Sequence, residues 1–137
     1  MANLNETLHA LREAYVAEAN ENLARIDRLI STLETEPTGP TLEHLHRRFL
    51  GLAGSGYTYG FPEVSTLGRQ GERLCAALLR TGRCSSPSVL LASRAVLRGL
   101  QAEFDRLRAL YAGGPWVRRD RDPARPRSSF LKWGAIP

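Results

Sequence analysis

Four stretches of this chain repeat apolar residues at intervals of three and four, and each is closed by glycine or proline. That alternation constrains the fold more than any other feature. In the first stretch Leu4, Leu8, Leu11, Tyr15, Ala19, Leu23, Ile26, Ile30 and Leu33 recur with mostly Glu, Arg, Asn and Asp between them. This is the apolar stripe of an amphipathic helix. It is long enough for one helix of about eight turns, or for a short helix leading into a long one. Asn3 or Asn5 is a candidate N-cap. Thr35-Glu36-Pro37-Thr38-Gly39-Pro40 ends the stripe, because prolines and a glycine cannot continue the hydrogen-bond ladder.

The second stretch holds Leu42, Leu45, Phe49 and Leu52, opens with Thr38 or Thr41 as cap, and is expected to stop near Gly56 and turn through Tyr57–Gly60. Phe61-Pro62-Glu63 starts the third, where proline costs no hydrogen bond, and Val64, Leu67, Gly71, Leu74, Cys75 and Leu78 carry it to about Arg80. Ser86 and Pro87 open the fourth, with Leu90, Leu91, Ala95, Leu97, Leu100, Phe104, Leu107 and Tyr111 as its stripe and Gly113-Gly114-Pro115 as its stop. Period-two alternation never persists, so no strand is expected. The pattern predicts an all-α chain: an antiparallel four-helix bundle over residues 1–112 with a short N-terminal helical extension. Residues 113–137 form a basic Pro/Gly/Arg-rich, irregular tail, expected to be partly disordered or docked through Trp116 and Trp133.

Charge divides along the same boundary. The net +5 is +4 in residues 113–137, where Arg118, Arg119, Arg121, Arg125, Arg127 and Lys132 face Asp120 and Asp122, and +1 in residues 1–112. The tail is an electrostatic arm that nucleic acid would attract through counterion release, but the bundle itself is nearly neutral and nucleic acid is not the expected partner. The 42% hydrophobic and 24% charged composition is that of an ordinary soluble domain. The first residues carry neither a basic nor an apolar signal segment, no apolar run approaches a bilayer span, and two cysteines without a C-x-x-C pair give no disulfide framework or zinc site. A reducing cytoplasm and no membrane association are the expectation.

Phe49-Leu50-Gly51-Leu52-Ala53-Gly54-Ser55-Gly56-Tyr57-Thr58-Tyr59-Gly60-Phe61 interrupts the helical pattern with small residues. Gly54, Ser55, Gly60 and Phe61 form a G-S-x4-G-F run that resembles the signature of histidine-containing phosphotransfer (HPt) domains. In that family a phosphoacceptor histidine and, three residues on, a lysine precede the Gly-Ser. Here Leu50 stands in place of the histidine and Ala53 in place of the lysine. The resemblance extends over residues 8–110, through the Tyr15–Ile26 stretch and the Pro62–Glu72 stretch. It implies a helical bundle that meets a response-regulator receiver domain or a histidine kinase through the outer side of the second helix.

Helical projection locates that side. With Leu50 at zero, Leu42, Leu45, Phe49 and Leu52 lie at about −80°, −140°, −100° and −160°. Leu50 therefore points roughly 120° from the centre of the core stripe, with His46 and Gly54 beside it and Arg47 and Ala53 flanking it. Leucine has no nitrogen to form a phosphoramidate, and alanine supplies no charge to a phosphoryl group. His46 and Arg47 could replace them, but His46 is displaced by about 6 Å along the axis, out of line for a receiver docked in the family's way. His44 points to another face and His9 belongs to the first helix.

Other chemistry finds little support. His44 and His46, two apart, diverge by about 160° on a helix and make no metal pair, and no P-loop or dinucleotide fingerprint occurs. Gly54-Ser55-Gly56 lacks the strand–turn–helix setting of a nucleophile elbow. The expected function is a non-catalytic pseudo-HPt module that needs no cofactor or metal. It binds its receiver or kinase through His46, Arg47, Leu50, Ala53, Gly54 and Tyr57. The alternatives are an active phosphotransfer protein using His46, a nucleic-acid-binding protein using the tail, and a bundle that self-associates through Trp116 and Trp133.

Overall fold

A computed structural model describes residues 4–112, and they form four helices: α1 (Leu4–Thr35), α2 (Gly39–Tyr59), α3 (Pro62–Thr81) and α4 (Pro87–Ala112). No strand occurs among the described residues. The chain is all-α, as its periodicity predicts. The expected roles of Trp116, Trp133 and the basic tail lie outside the described residues, as does Asn3.

Local chemistry accounts for the boundaries. α1 is one unbroken 32-residue helix rather than a short helix leading into a long one, and Asn5 lies inside its first turn, so it is not the cap. Thr38, in extended conformation, caps α2: its Oγ1 accepts a hydrogen bond from the Thr41 amide at 3.3 Å. Ser86 plays the same part for α4, accepting from the Val89 amide at 3.5 Å while its carbonyl takes the first turn's bond from Leu90.

α2 does not stop at Gly56 but runs on to Tyr59. A helical glycine costs only about 1 kcal/mol relative to alanine, and the packing described below offsets it at Gly56. The stop falls at Gly60, whose φ of 84° is left-handed and strained for any side chain bearing a Cβ. The Phe61 amide reaches back to the Gly56 carbonyl at 2.7 Å and the Gly60 amide to that of Tyr57 at 3.1 Å, a Schellman closure. Gly82 ends α3 by the same device.

The residues fall into two compact units, and each is described by itself. Glu18–Glu103 holds the packed four-helix arrangement. Its contacts run antiparallel at every step: Asn22 meets Arg48, His46 meets Glu72, Leu67 meets Gly99, and Arg94 meets Asp27 and Glu34. Ile26, Ile30, Leu33, Leu42, Leu45, Phe49, Val64, Cys75 and Leu100 are fully buried in it. Each aliphatic side chain of this kind contributes roughly 2 kcal/mol. On the surface, Arg94 ties α4 to three successive turns of α1. Its Nη1 donates to Asp27 at 2.9 Å, its Nη2 to Ser31 at 2.9 Å and Glu34 at 3.0 Å, and its Nε to the other Glu34 oxygen at 3.0 Å.

α2 and α3 approach closely. A Cβ added to Gly68 would lie 2.6 Å from the Ala53 nitrogen and 2.9 Å from the Phe49 carbonyl; one added to Gly71 would lie 2.4 Å from the Phe49 ring. A Cβ added to Gly56 would likewise lie 2.7 Å from the Ser65 nitrogen. Three glycines thus let one helix backbone rest on the other.

The second unit contains, among the described residues, 4–17 of α1 and 104–112 of α4. Tyr15 and Phe104 meet ring to ring at 5.8 Å and His9 and Tyr111 at 5.0 Å, with Val16 and Leu107 buried. Leu4 and Leu11, expected within the apolar stripe, are instead 80% and 50% exposed.

Candidate functional site

The outer side of α2 carries four of the expected residues in a line. Arg47, Leu50, Gly54 and Tyr57 follow the three-four-three spacing that stacks side chains on one helical face, and all are exposed. Leu50 is 50% and Tyr57 80% exposed, although Phe49 beside Leu50 is fully buried. The position predicted for a displayed functional group therefore does face solvent. A Cβ on Gly54 would meet nothing within 4 Å, so this glycine serves no internal packing and leaves a shallow place on the surface. The Thr58 hydroxyl donates to the Gly54 carbonyl at 3.0 Å, satisfying an outward-facing oxygen. Arg69 of α3 is exposed, four residues beyond Ser65 and three before Glu72, the two α3 residues whose side chains bond to α2.

Ala53 does not belong to the exposed face. It is buried beneath α3, with Gly68 against its backbone and the Ser65 hydroxyl donating to its carbonyl at 2.7 Å. Projection itself contains the reason: Ala53 lies about 60° from Leu50 but only about 20° from Leu42, on the edge of the core arc. The α3 glycines then bring a helix backbone over it, so the small side chain at 53 is a packing requirement.

His46 is half-buried rather than displayed. Its Nε2 lies 3.0 Å from Glu72 Oε2 on α3, each side chain 23% exposed, which makes a cross-helix pair one turn before Leu50. Arg48 donates to Asn22 of α1 at 3.4 Å. His44 is exposed, and among the described residues no group of three or more His, Cys, Asp or Glu is placed to hold a metal ion. Cys75, one turn after Glu72, is fully buried, and burial with the nearby Glu72 charge pushes its thiol up to about 12. It is inert at neutral pH.

The structure therefore brings Arg47, Leu50, Gly54 and Tyr57 together, turns His46 sideways into a pair, and withdraws Ala53. Glu72 and Arg69 were missed by sequence reasoning. Their signal lay in the antiparallel register of α2 and α3, which Gly60 fixes but a single-helix projection does not use. No helix among the described residues is long and apolar enough to cross a membrane. Comparison with family models, with curated proteins and with solved structures gives no match for this chain.

Proposed function

We propose that this chain is a cytoplasmic, non-catalytic signalling module similar to HPt domains. It docks a receiver domain or a histidine kinase of a two-component phosphorelay through the outer face of α2 and accepts no phosphate. The observation that carries the reading is Leu50: half-exposed where the family resemblance expects its histidine, with open space over Gly54 and a fully presented Tyr57 along the same line. An apolar centre edged by Arg47 is the composition of a protein-docking patch, in which one or two large side chains carry most of the affinity. As a binder without chemistry, the module would compete with a genuine phosphotransfer protein for its receiver, or act as an adaptor.

Phosphotransfer through His46 is the less favoured reading. The carboxylate of Glu72 stands against Nε2 and would put negative charge beside an incoming phosphoryl group. Two measurements test the proposal. Incubation with a phosphorylated receiver or kinase should leave no acid-labile label on the chain; label lost in His46→Ala would establish the His46 reading instead. Titration with receiver domains should show saturable binding weakened by Leu50→Asp, and failure of every receiver and kinase to bind would end the docking claim.

A further inference from the structure

A second surface of the four-helix unit, away from the α2 face, has the shape and charge of a receptor for a helix. α3 and α4 part along an open trough of about 530 Å³. Leu67, Leu74 and Ala77 line it from α3, and Val89, Ala92 and Val96 from α4. The parting follows from side-chain size: alanines at 77 and 92 are too short to interdigitate across the seam, whereas Leu67 farther along still reaches Gly99. From Leu67 to Ala77 is about 15 Å, close to three helical turns. Gln70 and Arg73 stand at the exposed edge, and Arg73 is the one charged residue among those lining it. Arg80, seven residues on and so two turns farther along the same side of α3, is exposed as well.

We propose that this trough docks an amphipathic helix with acidic residues beside its apolar stripe. Small-molecule sites enclose most of their ligand and converge a few polar groups on it. This trough is open along its length and almost wholly aliphatic, the form of helix-in-groove recognition, where residues at i, i+4 and i+7 fill one continuous furrow. Its edge charge is positive with no carboxylate among the lining residues, so glutamates or aspartates flanking the incoming stripe are complementary.

The test uses the full chain, isotope-labelled for NMR, with two designed helical peptides about four turns long. Both carry leucine at i, i+4, i+7 and i+11; one has glutamate at the flanking positions and the other lysine. The acidic peptide should perturb residues 67–77 and 89–96 and bind about tenfold tighter than the basic one. Ala92→Glu should abolish the effect by filling the furrow with a like charge, and Arg73→Glu, an exposed change that leaves the thermal melt unaltered, should reverse the order of the two peptides. The proposal is overturned by any of four results: no perturbation, equal binding of both peptides, laurate displacing the acidic peptide from the same residues, or self-association that Ala92→Glu removes.

Discussion

The Ser65 hydroxyl donates a 2.7 Å hydrogen bond to the carbonyl of Ala53, and both residues are buried where α3 crosses α2. Position 53 is therefore an interior position, while position 50, three residues earlier, is a surface one. Histidine at 50 and lysine at 53 should therefore have unequal consequences. Leu50→His should alter stability by no more than about 0.5 kcal/mol, as exposed changes do. Ala53→Lys must force a long chain between closely packed helices and should cost about 2–3 kcal/mol in urea denaturation. Ser65→Ala, which strands the Ala53 carbonyl's buried lone pair, should cost about 1 kcal/mol.

The glycines of α2 and α3 should separate into two classes. Gly68→Ala places a Cβ against backbone that cannot rotate away, so it should destabilise by about 2 kcal/mol or more. Gly51→Ala and Gly54→Ala lie on an open helical face with nothing within 4 Å. They should stabilise the fold by about 0.5–1 kcal/mol, since alanine loses less backbone entropy in a helix. Equal effects in both classes, measured by chemical denaturation, would contradict the close α2–α3 approach.

Thiol chemistry should distinguish the two cysteines. With its thiol pushed up to about 12 and no exposed surface, Cys75 should react only when the protein opens. Cys84, partly exposed in the α3–α4 connection, should react directly. A disulfide reagent at neutral pH should thus give a fast phase from Cys84 and a slow one that accelerates with urea; Cys84→Ser should leave the slow phase alone.

The Arg94 cluster should make stability acid-sensitive. Its hydrogen bonds hold the Glu34 carboxyl below the ordinary value of 4.5. The folded chain therefore binds this proton less readily than the unfolded one, so the pair's stabilisation is complete above that value and disappears as pH falls through the lowered one. The groups are exposed and the contribution is small, shrinking further in salt. Arg94→Met should flatten the stability profile on the acid side of the ordinary Glu34 value of 4.5, and an unchanged profile would contradict it.

Much of this fold is visible in residue spacing. The Thr38 and Ser86 caps and the buried faces around Phe49 and Leu100 follow from periodicity and breaker chemistry alone. The end of α2 does not, because Gly56 contributes through what it lets α3 do rather than through its own propensity. Ala53 departs from its expected outer position for a related reason: a projection assigns angles around one helix, whereas the neighbouring helix decides how wide the covered arc becomes. The His46–Glu72 pair and the Arg94 cluster join residues at least 26 positions apart and leave no local signature. The proposed docking face was legible at Leu50, Gly54 and Tyr57 because their exposure depends on helical phase alone.

The three glycines that seat α3 on α2 also set the terms on which this surface can change. The close contacts between the two helices lie on their facing sides, at Phe49, Ala53, Gly56, Val64, Ser65, Gly68 and Gly71, whereas a Cβ on Gly54 would meet nothing and Arg47, Leu50 and Tyr57 are exposed. Substitutions along the outer strip can therefore accumulate with little penalty to folding, and a lineage could exchange one recognition preference for another without passing through unstable intermediates. Leu50, half-exposed and outside the α2–α3 seam, is a position where such a change would go unregistered by the scaffold.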